Sequence, residues 1–271
     1  MKKAFVTGGA GFIGSHLTDL LLEKGFEVKV FDNFSFGRKD NLRPEVELVE
    51  GDITNYELVL KESKGYDFIF HLAALASVPE SVDKPLLYDR VNVGGTLNIL
   101  EAARKNNAKR LVFASSSAVY GLNDPPHDET MNPMPLSTYA LNKLIGEQYA
   151  ALYSELFGID TVSLRLFNVF GPRQALKGQY SNLFPKFSEA FILEKEIQLF
   201  GEGKPTRDYV FVKDVAKAFF LAATAPGEFG GEVFNIGSGK ATSVLEVFNI
   251  FKKEFGLEKE AVMKPARKGD P

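Results

Sequence analysis

The stretch Thr7-Gly8-Gly9-Ala10-Gly11-Phe12-Ile13-Gly14 constrains the fold more than any other part of the chain. It follows the apolar run Ala4-Phe5-Val6 and opens a helix-like run over residues 12–22. Gly9, Gly11 and Gly14 match a Gly-x-Gly-x-x-Gly pattern in the strand-to-helix setting that the pattern requires. Glycines there permit a tight turn and close backbone approach, and the helix N-terminus offers unpaired amides and partial positive charge to a pyrophosphate. A glycine-rich turn without a ligand is the plain alternative, and Asp32 argues against it. It closes the next apolar run, residues 28–31, where a carboxylate accepts hydrogen bonds from an adenosine ribose and repels a 2′-phosphate. NAD is therefore expected over NADP, with Arg38 as the nearby feature that offsets the repulsion. Asp52, after the run at residues 46–49, either reaches the adenine or serves as a turn or helix-capping residue.

Short apolar runs continue to alternate with amphipathic segments. Residues 68–70, 111–114 and 161–166 read as strands, and residues 56–61, 91–104 and 138–156 as helices. This predicts an α/β chain, a Rossmann-type doubly wound parallel sheet with a smaller mixed α/β lobe. Glycine and proline thicken after Leu166, at Gly171-Pro172, Gly178, Gly201, Gly203 and Pro205, which places the start of the second lobe there. Residues 213–223 and 233–236 read as a further helix and strand. The expected division is 1–166 for the nucleotide domain, with 213–237 returning to it, and 167–212 plus 238–271 for a substrate lobe.

At 271 residues, with 45% apolar residues and a net charge of -3, the chain can bury a sizeable core but lacks the basic surplus of a nucleic-acid binder. No apolar run approaches the roughly 18 residues of a membrane span. The absence of cysteine excludes thiol catalysis and thiolate metal sites and fits a reducing, cytoplasmic setting. The three histidines, His16, His71 and His127, are scattered, so no metal site is expected.

Tyr139 and Lys143 stand four apart on a predicted helix with a Ser or Thr cap, so the ammonium can sit beside the phenol. A fixed cation favours the phenolate; reaching neutrality needs roughly 4 kcal/mol, at about 1.4 kcal/mol per pKa unit. The same spacing at Tyr209 and Lys213 lies in Asp208-Tyr209-Val210-Phe211-Val212, whose composition favours extended chain. Only the first pair shares a helix face. Ser115-Ser116-Ser117 follows a strand, at the end where open α/β sheets bind ligands, and either positions a substrate hydroxyl or satisfies a turn.

With these residues in place, the chain resembles the extended short-chain dehydrogenase/reductases, within them the NAD-dependent nucleotide-sugar epimerases and dehydratases, most closely the UDP-glucose 4-epimerase branch. The resemblance rests on TGGAGFIG at residues 7–14, DN at 32–33, GDI at 51–53, HLAA at 71–74, NVGGT at 92–96, SSSAVYG at 115–121 and the Tyr139/Lys143 pair. RLFNVFGPRQ at 165–174, TRDYVFVKDV at 206–215, FNIGSG at 234–239 and RKGD at 267–270 extend it through the second lobe. It implies that Gly8, Gly11, Phe12, Ile13, Gly14, Asp32, Asn33, Ser35, Gly37, Asp52, Ile53, Leu72, Ala73, Ala74, Asn92, Ser115, Tyr139 and Lys143 meet the cofactor. It further implies that Ser117, Tyr139, Asn168, Arg207 and Arg267 meet the substrate, the arginines at its diphosphate. The implied reaction is 4-epimerisation of a UDP-hexose, UDP-glucose/UDP-galactose or the N-acetyl forms, through a transient 4-keto sugar. In it Tyr139 is the base, Lys143 tunes it, and Ser116 or Ser117, with preference for Ser117, orients the hydroxyl. Related dehydratases carry an Asp-Glu pair where this chain has Ser117 and Ala118, and decarboxylases a Glu where it has Ala118, which disfavours both. The competing hypotheses are a net dehydrogenase and a non-catalytic nucleotide-sugar sensor. The resemblance also implies a homodimer, and a substrate lobe that continues beyond Pro271.

Overall fold

Buried strands alternate with helices from the N-terminus onward. The computed structural model describes residues 1–176, 183–256, 258 and 260–265. In chain order the elements are β1 (Lys3–Thr7), α1 (Phe12–Glu23), β2 (Glu27–Asp32), β3 (Glu47–Glu50), α2 (Tyr56–Glu62), β4 (Phe68–His71), α3 (Val78–Asp83), α4 (Pro85–Tyr88), α5 (Gly95–Lys105), β5 (Arg110–Ser116), α6 (Thr138–Phe157) and β6 (Asp160–Leu166). There follow β7 (Asn168–Phe170), α7 (Leu183–Ile192), β8 (Gln198–Phe200), β9 (Thr206–Phe211), α8 (Val212–Thr224), β10 (Val233–Ile236), β11 (Ala241–Ser243), α9 (Val244–Phe255) and β12 (Val262–Lys264). They fall into two compact units, Met1–Phe167 with Val212–Ile236, and Asn168–Phe211 with Gly237–Pro271.

The first unit is built on a seven-stranded parallel sheet of order β10-β6-β5-β4-β1-β2-β3. Its central strands are apolar on both faces because helices cover both, so Phe5, Val6, Ile69, Phe70, Leu111 and Val112 are all buried. Thr7 lies level with His71, and His71 with Phe113, which brings the carboxyl ends of β1, β4 and β5 to one edge. β1 runs on to β2 on one side and has β4 on the other, so the strand order reverses at β1. Open α/β sheets bind ligands at such a switch point.

The helix expected at residues 91–104 begins differently: a π-helical turn, Asp89–Gly94, leads into α5. The i→i+5 pattern of such a turn is not encoded by apolar spacing, which reads it as ordinary helix. The returning segment is tied down by Arg110, which forms a buried ion pair with Asp160 and donates to Ala222 O at 2.8 Å and Ala225 O at 2.9 Å at the end of α8. β10 then completes the sheet, pairing Val233 to Ile236 with Ser163 to Leu166.

In the second unit β9 is flanked by β7 in parallel and β11 in antiparallel orientation, and β8 pairs with β12. Its core is aromatic: Phe187 and Phe191 of α7 pack on Phe248 and Phe251 of α9 at centroid distances of 5.5–6.1 Å. A Ser243/Glu246 capping box starts α9. Among the described residues no helix is long and apolar enough to cross a membrane.

Candidate active site

Two glycines let the loop after β1 close on itself. Gly8 sits at φ +70°, and a Cβ there would lie 2.7 Å from Ala73 N, so the turn after β1 meets the chain after β4 backbone to backbone. At Gly14 a Cβ would stand 2.2 Å from Gly8 O, so the first turn of α1 packs directly on the loop. No side chain caps this helix and its first turn holds no acid, which leaves its amide donors to an outside anion.

These loops frame an open cleft of about 580 Å³ whose walls include Gly8, Gly11, Asp32, Asn33, Ser35, Gly37, Ile53, Leu72, Ala73 and Ala74. Ten of the residues expected at the cofactor thus share one cleft. Sequence reasoning missed Phe31, Phe36, Leu75 and Val91, which also line it, and quoted Gly51, a further lining residue, only as part of the GDI motif. Asp32 is held by Ala10 N–H at 3.0 Å on one carboxylate oxygen and Phe34 N–H at 2.8 Å on the other. Burial pushes its carboxyl up against the opposing pull of those two amides. Arg38 pairs with Asp40 at 3.4 Å on the surface.

Other expected residues have local duties. Asp52 accepts from Thr54 N–H at 2.8 Å, the Thr54 hydroxyl at 2.7 Å and Asn33 Nδ2 at 2.9 Å, which is the turn role. Against the desolvation of this carboxyl, these bonds hold it below its usual range. Asn92 is buried and spent on Leu75, accepting its N–H at 2.8 Å and donating to its carbonyl at 2.8 Å. It braces the cleft wall from the π-helical turn. Phe12 and Ile13 lie in the first turn of α1.

His71 extends this bracing inward. The Thr96 hydroxyl donates to Asn92 O, so it accepts His71 Nε2–H at 3.0 Å. Nδ1 is left to accept from the Thr7 hydroxyl at 2.8 Å, and Thr7 in turn receives Ala73 N–H at 3.3 Å. Burial, with the Lys143 charge adding to it, lowers His71 to about 3. An unfolded histidine takes up its proton near 6.5. The stability this neutral ring contributes is therefore intact above that pH and drains at about 1.4 kcal/mol per pH unit as pH falls toward 3. Urea unfolding of wild type and His71→Gln across this range should show the gap in unfolding free energy narrowing on acidification. A gap independent of pH would mean that the folded ring takes up its proton as easily as the unfolded one.

Tyr139 and Lys143 occupy the first turns of α6, whose cap Ser137 accepts Ala140 N–H at 3.1 Å. Both are buried on the same face. Lys143 Nζ donates to Ala114 O at 2.7 Å and lies 4.9 Å from the Phe113 ring centroid and 5.9 Å from that of Tyr139. Burial lowers Lys143 to about 8, with the charge of Glu147 opposing. Tyr139 is not lowered as the sequence suggested. Burial raises it, and the opposing influence is a hydrogen bond with Ser116. The desolvation of a phenolate outweighs a lysine whose ammonium is directed at a backbone carbonyl.

The three serines diverge. Ser115 donates to the buried Glu147 carboxylate. Ser116, at the end of β5, accepts Ala118 N–H at 3.2 Å and is the serine in contact with Tyr139. Ser117 opens a 3₁₀ turn, Ser117–Tyr120, one position beyond. The sequence reading prefers Ser117 for orienting the substrate hydroxyl; Ser116 is the serine that acts on the Tyr139 phenol. Tyr209 ends up on β9 and Lys213 on α8, so that duplicate spacing spans a strand and a helix.

In the second unit Asn168 Nδ2 donates to Asp208 O at 3.1 Å, and Arg207 Nη1 donates to Thr206 O at 2.8 Å on β9. Asp208 gathers Ser238 N–H and Oγ, both at 2.7 Å, and Gly239 N–H at 2.8 Å. Arg267 lies outside the described residues, as does Gly178.

Known proteins resemble this chain along most of its length. The NAD-dependent epimerase/dehydratase family matches residues 4–237. A UDP-glucose 4-epimerase of Mycolicibacterium smegmatis is 40% identical over 279 residues, spanning 99% of this chain and 87% of that protein. Among solved structures, a UDP-N-acetylglucosamine 4-epimerase from Methanobrevibacter ruminantium M1, in complex with UDP-N-acetylmuramic acid, superposes with a TM-score of 0.94 at 38% identity. The UDP-glucose 4-epimerase of Thermotoga maritima with UDP-glucose gives 0.93 at 39%. Each covers 99% of this chain, which in turn covers 87% of each.

Proposed function

This chain belongs to the NAD-dependent epimerase/dehydratase family, and we propose that within it the protein is an isomerase that inverts C4 of a UDP-hexose, UDP-glucose/UDP-galactose first and the N-acetyl forms as further substrates. The observation that supports this reading most is the buried Tyr139–Lys143 pair with Ser116 against the tyrosine, at the carboxyl ends of parallel strands. The cleft at the switch point suits NAD: uncapped amides of α1 for the pyrophosphate, the loop glycines for close approach, and Asp32 for a ribose. When bound, NAD supplies the two-electron acceptor and donor that the sugar carbon needs.

Tyr139 takes the proton of the sugar 4-hydroxyl while Ser116 holds the oxygen, and returns it after the 4-keto sugar has presented its other face. Lys143 holds the cofactor's ribose and favours the phenolate when the pair is in use. Ser117 and Ala118 offer no carboxylate for water elimination or decarboxylation. Asn168, Arg207 and Arg267 serve the UDP part, so the second unit is the substrate lobe and the first the nucleotide domain.

Incubating the protein with UDP-galactose and resolving the products tests the reading. UDP-glucose should accumulate to equilibrium without net NADH, and steady release of NADH would instead mark a dehydrogenase. A parallel run with UDP-N-acetylglucosamine sets the sugar range. The same reading makes the protein a homodimer, supported by the exposed Leu141, Leu152 and Leu156 of α6, and a monomer in sedimentation equilibrium would count against it. The lack of cysteine suits a cytoplasmic location.

A further inference from the structure

Glu147 stands one turn beyond Lys143 on α6, and both are buried. Its carboxylate is gripped by Arg165 of β6, Nε to Oε1 at 2.9 Å and Nη2 to Oε2 at 2.7 Å, and receives the Ser115 hydroxyl from β5. The guanidinium in turn lies 4.8 Å over the ring of Tyr120 in the 3₁₀ turn that follows Ser116. Tyr120 is fixed on its other side by stacking on His127, with centroids 4.6 Å apart, and through its hydroxyl by Asn235 at 2.7 Å. One ion pair therefore links the helix bearing Tyr139 and Lys143 to β5 through Ser115 and to the turn after Ser116 through Tyr120.

We propose that Glu147 and Arg165 are positioning residues for the Tyr139–Lys143 pair, Glu147 as the buried counter-charge of Lys143 and Arg165 as the cation that limits how much of that charge Lys143 feels. The proposal deepens the functional reading given above and rests on it for its catalytic meaning. Among the described residues around Lys143, Glu147 is the anionic influence it feels. His71 on β4 is neutral, Phe113 and Ala114 on β5 offer a ring and a carbonyl, Tyr139 shares its helix, and Asp89 of the π-helical turn is engaged by Asn142 at 3.4 Å. An unshared carboxylate one turn away would hold the lysine firmly as an ammonium. Burial lowers Lys143 to about 8, and a carboxylate divided between Arg165, Ser115 and Lys143 offsets that only in part.

The decisive measurement reads Lys143 without substrate, by NMR titration of the full chain carrying ¹³Cε-lysine, with Lys143→Met to assign the resonance. Glu147→Gln should move its midpoint down by about one pH unit or more, since the counter-charge is gone and Arg165 stays; Arg165→Met should move it up by a similar amount. Arg165→Lys keeps the cation and should leave it near the wild-type position. Shifts in the same direction for Glu147→Gln and Arg165→Met, or none in either, would overturn the proposal, because loosened packing alone cannot give opposite signs. If Arg165→Met does not fold, the neutral pair Glu147→Gln/Arg165→Met replaces it, since a buried ion pair exchanged whole is often tolerated. Its midpoint should lie above that of Glu147→Gln alone, and equal midpoints would remove Arg165 from the scheme. The alkaline limb of UDP-hexose turnover should follow the lysine in each variant. Lysine shifts as stated with no turnover of any UDP-hexose would sink the functional reading and leave the charge pair standing.

Discussion

Tyr139→Phe should lower the rate of UDP-galactose conversion by about 10²–10⁴-fold, the range seen when a positioned acid–base group is removed, with bound NAD unchanged. The phenol ring is buried on α6 and its hydroxyl is the atom that meets Ser116. Phenylalanine keeps the packing and deletes only the group that exchanges the proton. Burial raises the phenol in the protein by itself, so the hydroxyl depends on Lys143 and Ser116 being aimed correctly at the moment of reaction. Turnover is read by product resolution, and NAD by its absorbance after release from denatured protein. A variant keeping more than about a tenth of wild-type turnover would move proton abstraction to another group. A sensor protein, whose output needs binding alone, would keep its function.

The second large effect is expected at Gly14. Alanine there sets a methyl group 2.2 Å from Gly8 O, a backbone atom that cannot swing aside, so α1 and the loop must separate. Overpacking of this kind costs about 1–3 kcal/mol, and the displaced amides are those proposed to face the pyrophosphate. Gly14→Ala should weaken NAD retention by about 10–100-fold at the same energy scale, while circular dichroism stays that of the folded chain. Isothermal titration of the NAD-stripped protein measures it. Unchanged affinity would separate the loop from the cofactor. Gly25, by contrast, has open space around its Cβ position, and its positive φ is its only constraint.

Much of this site was legible because it is local. The loop at residues 7–14, Asp32 at a strand end and the Tyr139/Lys143 spacing each lie within one element or one turn, where periodicity and capping speak directly. Duties shared across elements were not legible. Whether Asn92 touches a cofactor or latches Leu75, and whether Asp52 reaches outward or closes a turn with Thr54 and Asn33, depends on which chain segment arrives opposite. The serine triplet shows the same limit, since which serine meets which residue of α6 depends on how that helix lies along β5. Ser115 meets Glu147, whereas Ser116 meets Tyr139. Nothing in the sequence pointed to a pairing of Glu147 with Arg165: a Glu in a helix and the Arg that heads RLFNVFGPRQ stay unrelated until the fold brings them together. The short elements β7, β8, β11 and β12, of three residues each, are below the length at which alternation can be read.

The return of residues 212–236 to the first unit also fixes an order of events during synthesis. When the chain has emerged only as far as Phe167, β6 is an outer strand, and the amides of Ser163 and Phe167 lack the carbonyls of Glu232 and Ile236 that later receive them. Leu164 and Leu166, buried in the finished protein, are still without their β10 neighbours. An open, apolar strand edge is the form of a nascent chain that invites pairing with another copy. The ribosome must add all of residues 168–211 before α8 and β10 exist, so a pause in translation within that stretch prolongs the interval in which β6 is uncovered.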